Sequence, residues 1–313
     1  MNKHLFRIGI CTPSSPGSLP WKRELKGLLR LRNIGIEIEF AELYNDRQLT
    51  SENKLKQLYS LFENPEIDAI MCYWGGTIAN SLLEEIDYIR ISQSPKPFIG
   101  YSDCTVLLHA LRTKSGIPTI HGPGFVSFTK EHNFLETGST LLQTLTQGSV
   151  QYVPPIEYFD GQQVNEAFYL KKNLPYAVIR EGKVSGQATG GHIALISALI
   201  GTEFLFLPTD SLLFLECSEE YDFEQFQRYL YHLKQNGLFH SVRGVIISKF
   251  MHESQIPKHE LYALLESVIP SPIPILAEFD SGHTDPIVSV QFGKQYHLDT
   301  QASIPVTYEA ILI

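Results

Sequence analysis

Cysteine is scarce and unpaired in this sequence. Cys11, Cys72, Cys104 and Cys217 lie far apart with no CxxC spacing, which excludes a zinc ribbon or a disulfide framework and fits reduced, buried thiols. No apolar run approaches the ~20 residues that cross a bilayer. The opening stretch MNKHLFRIGIC breaks into TPSSPG after a short apolar run, which does not fit a secretory signal. A cytoplasmic location is therefore expected. Positive charge is in deficit too: 25 Lys and Arg face 34 Asp and Glu, a formal net charge of -9. That balance argues against nonspecific binding to a nucleic-acid polymer or an anionic membrane surface.

What is present reads as two cores. The 313 residues exceed the usual size of one core, and 43% hydrophobic with 19% charged residues is ordinary for a globular protein. Through residues 1–150, short apolar runs (LFRIGIC, GIEIEFA, IDAIMCYW, KPFIG) alternate with helix-like stretches such as KLKQLYSLFEN and CTVLLHALRTKSG, the latter closed by Gly116. This alternation predicts a doubly wound α/β domain with a mostly parallel sheet. Residues 151–184 are rich in aromatics, Pro and Asn with poor periodicity, and read as an interdomain crossing segment or long functional loop. Residues 185–313 predict a smaller mixed α/β domain. It holds a helix opened by glycines in GGHIALISALIG, the strands SLLFLEC, RGVIISKF and PIPILAEF, the helix DFEQFQRYLYHLKQNG, and a hairpin turning at Gly293–Lys294.

The stretch PFIGYSDCTVLLHAL has two readings. Ser102 could cap the helix, with Asp103 favoured by the positive helix end. Alternatively, a sharp strand–turn–helix displays the Ser102 hydroxyl, with the following backbone N–H aimed at a developing oxyanion. The G-x-S-x-G pattern of such turns is incomplete, since Cys104 and Thr105 follow Asp103 without the second glycine. Upstream, YWGGTIANSLLEEI puts Gly75 and Gly76 at the end of another strand and before another predicted helix. They either make a tight turn or bring bare N–H groups to the crevice beyond the strand ends. Neither a P-loop lysine nor G-x-G-x-x-G is present, which disfavours a phosphate cradle.

A serine nucleophile needs a base and something to orient it. Of eleven histidines, His283 in FDSGHTDP lies directly after a predicted strand, in a turn-rich loop. It reads either as a structural loop residue or as that base. Glu216 closes the run LLFLE and is either the first solvated position or a carboxylate facing a cleft. Together they give the chain order Ser…Glu…His, one of the known triad orders. Cys104 is the competing nucleophile, but no histidine arrangement points to it.

GYSD, the upstream GGT, HGP at His121–Pro123, GG at Gly190, LFLE and GHTDP occur together in this order. With these motifs the chain resembles the LD-carboxypeptidase family of serine peptidases, which includes the microcin C immunity proteins, over nearly its whole length. The resemblance implies a flavodoxin-like amino-terminal domain carrying Ser102 and a smaller carboxy-terminal domain carrying Glu216 and His283. It implies Ser102 as nucleophile, His283 as base and then acid, Glu216 as the orienting residue, and an oxyanion hole from the Asp103 N–H and the Gly75–Gly76 loop. It also implies a homodimer without metal or organic cofactor. The substrate is then a small peptide or a peptidyl or aminoacyl nucleotide, as in the immunity branch, or a murein tetrapeptide. A noncatalytic two-domain binding protein is the reading from another class.

His192 stands where family members commonly carry Asn, and Cys217 where an acidic residue is frequent. Both departures bear on substrate contacts. The central segment has no tryptophan to stack on a nucleotide base, leaving Tyr158, Phe159, Phe168, Tyr169 and Tyr176 either for stacking or for packing.

Overall fold

The computed structural model describes residues 6–147, 149–164 and 167–309. In the first half, β1 (Phe6–Cys11), β2 (Ile36–Phe40), β3 (Ala69–Cys72), β4 (Phe98–Gly100) and β5 (Thr119–His121) form a parallel sheet in the order β2-β1-β3-β4-β5. This is the flavodoxin-type winding, in agreement with the doubly wound expectation. The central strands are buried on both faces because their residues alternate between two cores. Ile8, Ile10, Met71 and Ile99 pack under α1 (Trp21–Asn33) and α5 (Phe134–Thr146). Cys11, Ile70, Cys72 and Phe98 pack under α2 (Ser51–Glu63), α3 (Tyr88–Ser92) and α4 (Thr105–Ser115). Gly116 closes α4 at φ 71°, the left-handed cap that glycine accepts without penalty.

The second sheet is mixed. β6 (Ser149–Gln151) enters it at one edge, while β7 (Glu157–Val164) and β8 (Ala167–Lys172) form a separate hairpin, and β9 (Ala177–Arg180) lies at the far edge. Between these edges β10 (Lys183–His192), β11 (Ser211–Glu216), β12 (Val242–Ser248) and β13 (Ile275–Phe279) run parallel. Helices α6 (Ile193–Leu199), α7 (Phe223–Gln235) and α8 (Lys258–Val268) cover one face. The poor periodicity of residues 151–184 has a local cause: the pairings of β7 with β8 and of β9 with β13 both contain register shifts that break the two-residue alternation.

Three local expectations change. The paired glycines end β10 rather than open a helix, and a Cβ at Gly190 would lie 1.8 Å from Phe214 O on the neighbouring strand. The segment after Gly75–Gly76 forms only a short 3-10 turn, Ala79–Leu82. The chain does turn at Gly293, φ 76°, but the arms do not pair. Instead, β14 (Val290–Gln291) joins β5, and β15 (Gln295–Asp299) joins β10 and β16 (Val306–Glu309). The reason is the open edge of β5: β14 covers its unpaired backbone groups and delivers Phe292 to the first core. The carboxy-terminal half therefore reaches into the amino-terminal sheet.

Candidate active site

Beyond the carboxyl ends of their strands, where open α/β sheets hold ligands, the loops after β3 and β4 meet at Gly75 and Ser102, and the loop after β13 meets the end of β11 at His283 and Glu216. After β4, Ser102 adopts φ 57°, a left-handed conformation that costs a non-glycine residue on the order of 1 kcal/mol. Helix α4 starts only at Thr105, and Ser102 opens a 3-10 turn without making a side-chain cap bond. The capping account of Ser102 therefore fails, and the strained turn remains. Gly75 faces it closely: a Cβ there would meet both Cβ and Oγ of Ser102 at 2.9 Å, and the Asp103 backbone N at 3.5 Å. Only a residue without a side chain fits.

Glu216, at the end of β11, is buried. Its Oε2 accepts a hydrogen bond from His283 Nδ1 at 2.7 Å. Burial works to raise the Glu216 pKa, but the neighbouring imidazoles of His283 and His192 and the bond from His283 prevail, holding it at about 2. For His283, burial lowers the pKa, and the charge and hydrogen bond of Glu216 outweigh burial and raise it. This proton placement leaves Nε2 as the free ring nitrogen.

The loop around His283 is held at several points. A Cβ on Gly282 would crowd Ser248 and Glu216 at 3.1 and 3.2 Å. His121 Nε2 donates to Ser281 O at 2.7 Å, which pins the loop to the first sheet. Asp285 pairs with Lys130 at 3.0 Å and exchanges backbone bonds with Phe159 of the β7–β8 hairpin. The Tyr101 ring, next to Ser102, lies 5.0 Å from the His283 ring. Among the described residues no hydrogen bond joins Ser102 Oγ to His283. Catalytic contacts of this kind commonly close only around substrate.

His192, noted in the sequence only as a departure, lies beside this pair. It is in register with Glu216 across β10–β11, its ring is 5.9 Å from that of His283, and its Nε2 accepts the Ser218 N–H. Burial depresses it to about 4, so it is neutral at physiological pH. Ser14, in TPSSPG, bonds through its hydroxyl to Asp103 next to Ser102, and Lys54 donates to Ser14 O behind it; neither residue carries a chemical signal in the sequence. Cys104 is fully buried. Its bond with Cys72 lowers the thiol pKa, but burial and the Asp103 charge raise it further, which removes it as a nucleophile. Of the central aromatics, Tyr158 is buried and Tyr176 packs on Phe279, whereas Phe168 and Tyr169 are 45% and 51% exposed. Among the described residues no group of three or more His, Cys, Asp or Glu could hold a metal ion, and no helix is long and apolar enough to cross a membrane.

A flavodoxin-type lobe with a strained serine turn, facing a mixed-sheet lobe with a His–Glu pair, defines the class of two-lobed serine-type hydrolases. Residues 8–122 match the LD-carboxypeptidase N-terminal domain and residues 185–298 the LD-carboxypeptidase C-terminal domain. The chain belongs to the LD-carboxypeptidase family and is a carboxypeptidase-type serine hydrolase. An MccF-like protein from Bacillus anthracis superposes with a TM-score of 0.92 at 27% identity, over 98% of this chain and 97% of that one. The microcin C7 self-immunity protein MccF of Escherichia coli is 29% identical over 93% of this chain and 90% of its own length. MccF has been solved with glutamyl sulfamoyl guanosine, a structure that matches at a TM-score of 0.87 and 26% identity over 99% and 98% of the two chains. A probable murein peptide carboxypeptidase of Bacillus subtilis is 28% identical over 94% of this chain and 88% of its own.

Proposed function

We propose that Ser102 is the nucleophile, His283 the general base and acid, and Glu216 the orienting carboxylate in cleavage of an amide bond in a small peptidyl or aminoacyl nucleotide. The observation that carries this reading is the 2.7 Å His283–Glu216 bond beside a serine held at φ 57°. His283 Nε2 takes the hydroxyl proton as Ser102 Oγ attacks the carbonyl carbon. Glu216 accepts from Nδ1–H and balances the imidazolium that forms. The oxyanion of the tetrahedral intermediate is met by the Asp103 N–H and the Gly75–Gly76 loop. Collapse breaks the C–N bond; the amine leaves with the proton from His283, and an ester remains on Ser102. Water, deprotonated by the same imidazole, hydrolyses the ester and restores the serine. One oxyanion donor supplies ~3 kcal/mol of barrier lowering and the base ~10²–10⁴-fold.

The nucleotide conjugate is favoured by the likeness to MccF. The likeness to the murein peptide carboxypeptidase supports a murein tetrapeptide as the second substrate class. In this reading the protein works in the cytoplasm as a homodimer.

A fluorophosphonate probe is the direct test. It labels the wild-type chain and spares Ser102→Ala; labelling of neither replaces the hydrolase with a noncatalytic binding protein. Mass spectrometry of the products from an aminoacyl sulfamoyl adenylate and from murein tetrapeptide then assigns the substrate.

A further inference from the structure

Two adjacent glycines cannot hold their own conformation, because neither carries a side chain to pack or bond. Whatever fixes the Gly75–Gly76 loop must act from outside it. The buried side chain of Asp103, 6% exposed, does not bond to its own helix. Its Oδ2 accepts the Ala79 N–H at 2.8 Å, just beyond the glycines, and the Ser14 hydroxyl at 2.5 Å. The Ser14 hydroxyl in turn accepts the Ile78 N–H at 3.4 Å. It fills the space beside Gly76 (φ 150°), where a Cβ would meet Ser14 Oγ at 2.1 Å and Ser15 Oγ at 2.4 Å. The Ser15 N–H reaches Gly75 O at 3.4 Å. Behind this turn, the buried Lys54 ammonium donates to Ser14 O at 2.7 Å.

We propose that the Asp103 carboxylate is a positioning residue for the reaction: it clamps the Gly75–Ala79 loop and the Ser14–Ser15 turn against the Ser102 turn and thereby aligns the oxyanion donors. The proposal rests on Ser102 being the nucleophile. Asp103 then has two tasks, its N–H as a donor and its carboxylate as the anchor for the opposing donors. Bonds to an ionised acceptor are about twice as strong as neutral ones, which suits an anchor on a flexible loop. A misplacement of about 1 Å at such a point costs on the order of 100-fold in rate.

The test uses the full chain and compares wild type, Asp103→Ala, Asp103→Asn and Ser14→Ala. Fluorophosphonate labelling and kcat are expected to fall about 100-fold in Asp103→Ala and about 10-fold in Asp103→Asn, with KM within about two-fold. Affinity for a boronic acid, which forms a tetrahedral adduct with the serine, is expected to fall by the same factor as kcat/KM. A merely structural role would lower the melting temperature without that parallel. Ser14→Ala removes one anchor bond from an otherwise intact site. It gives a smaller loss of the same kind and serves as the reading if Asp103→Ala does not fold. Wild-type labelling rates in Asp103→Asn and Ser14→Ala, or a loss confined to KM, overturn the clamp alone. Failure of the wild-type chain to label overturns the serine reading and the clamp with it.

Discussion

Glu216 and His283, 67 residues apart in sequence, meet end to end at 2.7 Å across β11 and the loop after β13. The carboxylate decides the charge of the ring: burial alone would depress His283, and Glu216 reverses the sign to a raised pKa. A general base must be unprotonated, so kcat/KM of the wild type is expected to rise with pH through a value above the ordinary 6.5. Glu216→Gln removes the main raising influence and leaves burial against the weaker pull of Glu219. The acid limb then moves to lower pH while kcat drops by ~10²–10⁴. A limb that stays in place in the variant would show that Glu216 does not control the base.

Gly75→Ala tests the close approach at the serine. The added methyl would stand 2.9 Å from Ser102 Cβ and Oγ, too near for either to remain where it is. Turnover is expected to fall on the order of 100-fold, with far-UV circular dichroism unchanged, because the loop can shift outward without unpacking either core. Full activity would mean that the serine turn and the glycine loop do not act together.

Much of this site was legible because its chemistry sits where strands stop. Ser102, Glu216 and His283 each follow an apolar run, and apolar runs are what a sequence displays most openly. Partners reached through space were not legible. Asp103 was visible as a neighbour of Ser102, but its bonds to Ser14 and Ala79 depend on a loop 89 residues earlier folding under Gly76. The hairpin expected at Gly293 failed for a similar reason. Its alternation was real, yet the edge of β5, about 170 residues upstream, offered β14 a better partner than β15. The β7–β8 hairpin was hidden by its own register shift, which cancels the period that would announce it.

The loop bearing His283 begins at Asp280, whose carboxylate is fully buried against Lys249 Nζ at 2.5 Å and also accepts the Tyr152 hydroxyl at 2.8 Å. Removing one member of a buried pair leaves an uncompensated charge and costs about 3–5 kcal/mol. Lys249→Met is expected to destabilise by that amount in denaturant unfolding. Lys249→Met combined with Asp280→Asn should recover part of it, because the remaining side chain is neutral. If the double variant is no more stable than the single one, the loss comes from packing and the charge pair is not the anchor.

At the seam between the lobes a buried imidazole ties α4 to the second half of the chain. His109 on α4 bonds on both ring nitrogens: Nε2–H donates to Gly190 O at 2.8 Å, and Nδ1 accepts the Phe206 N–H at 3.1 Å. Only the neutral tautomer can do both, and burial lowers its pKa to about 4. His192 is depressed to about 4 by burial as well. For a base depressed by folding, the unfolded chain binds more protons between the two pKa values. Stability therefore falls as pH drops below 6.5 and levels off near 4, by roughly 3 kcal/mol per histidine at full extent. His109→Gln separates the bonds from the proton: its amide supplies one donor and one acceptor and does not titrate. At pH 8 the variant should unfold near the wild-type denaturant midpoint, and at pH 5 it should unfold later than wild type. The same loss between pH 8 and 5 in both proteins would mean that His109 titrates no differently in the folded and unfolded chain.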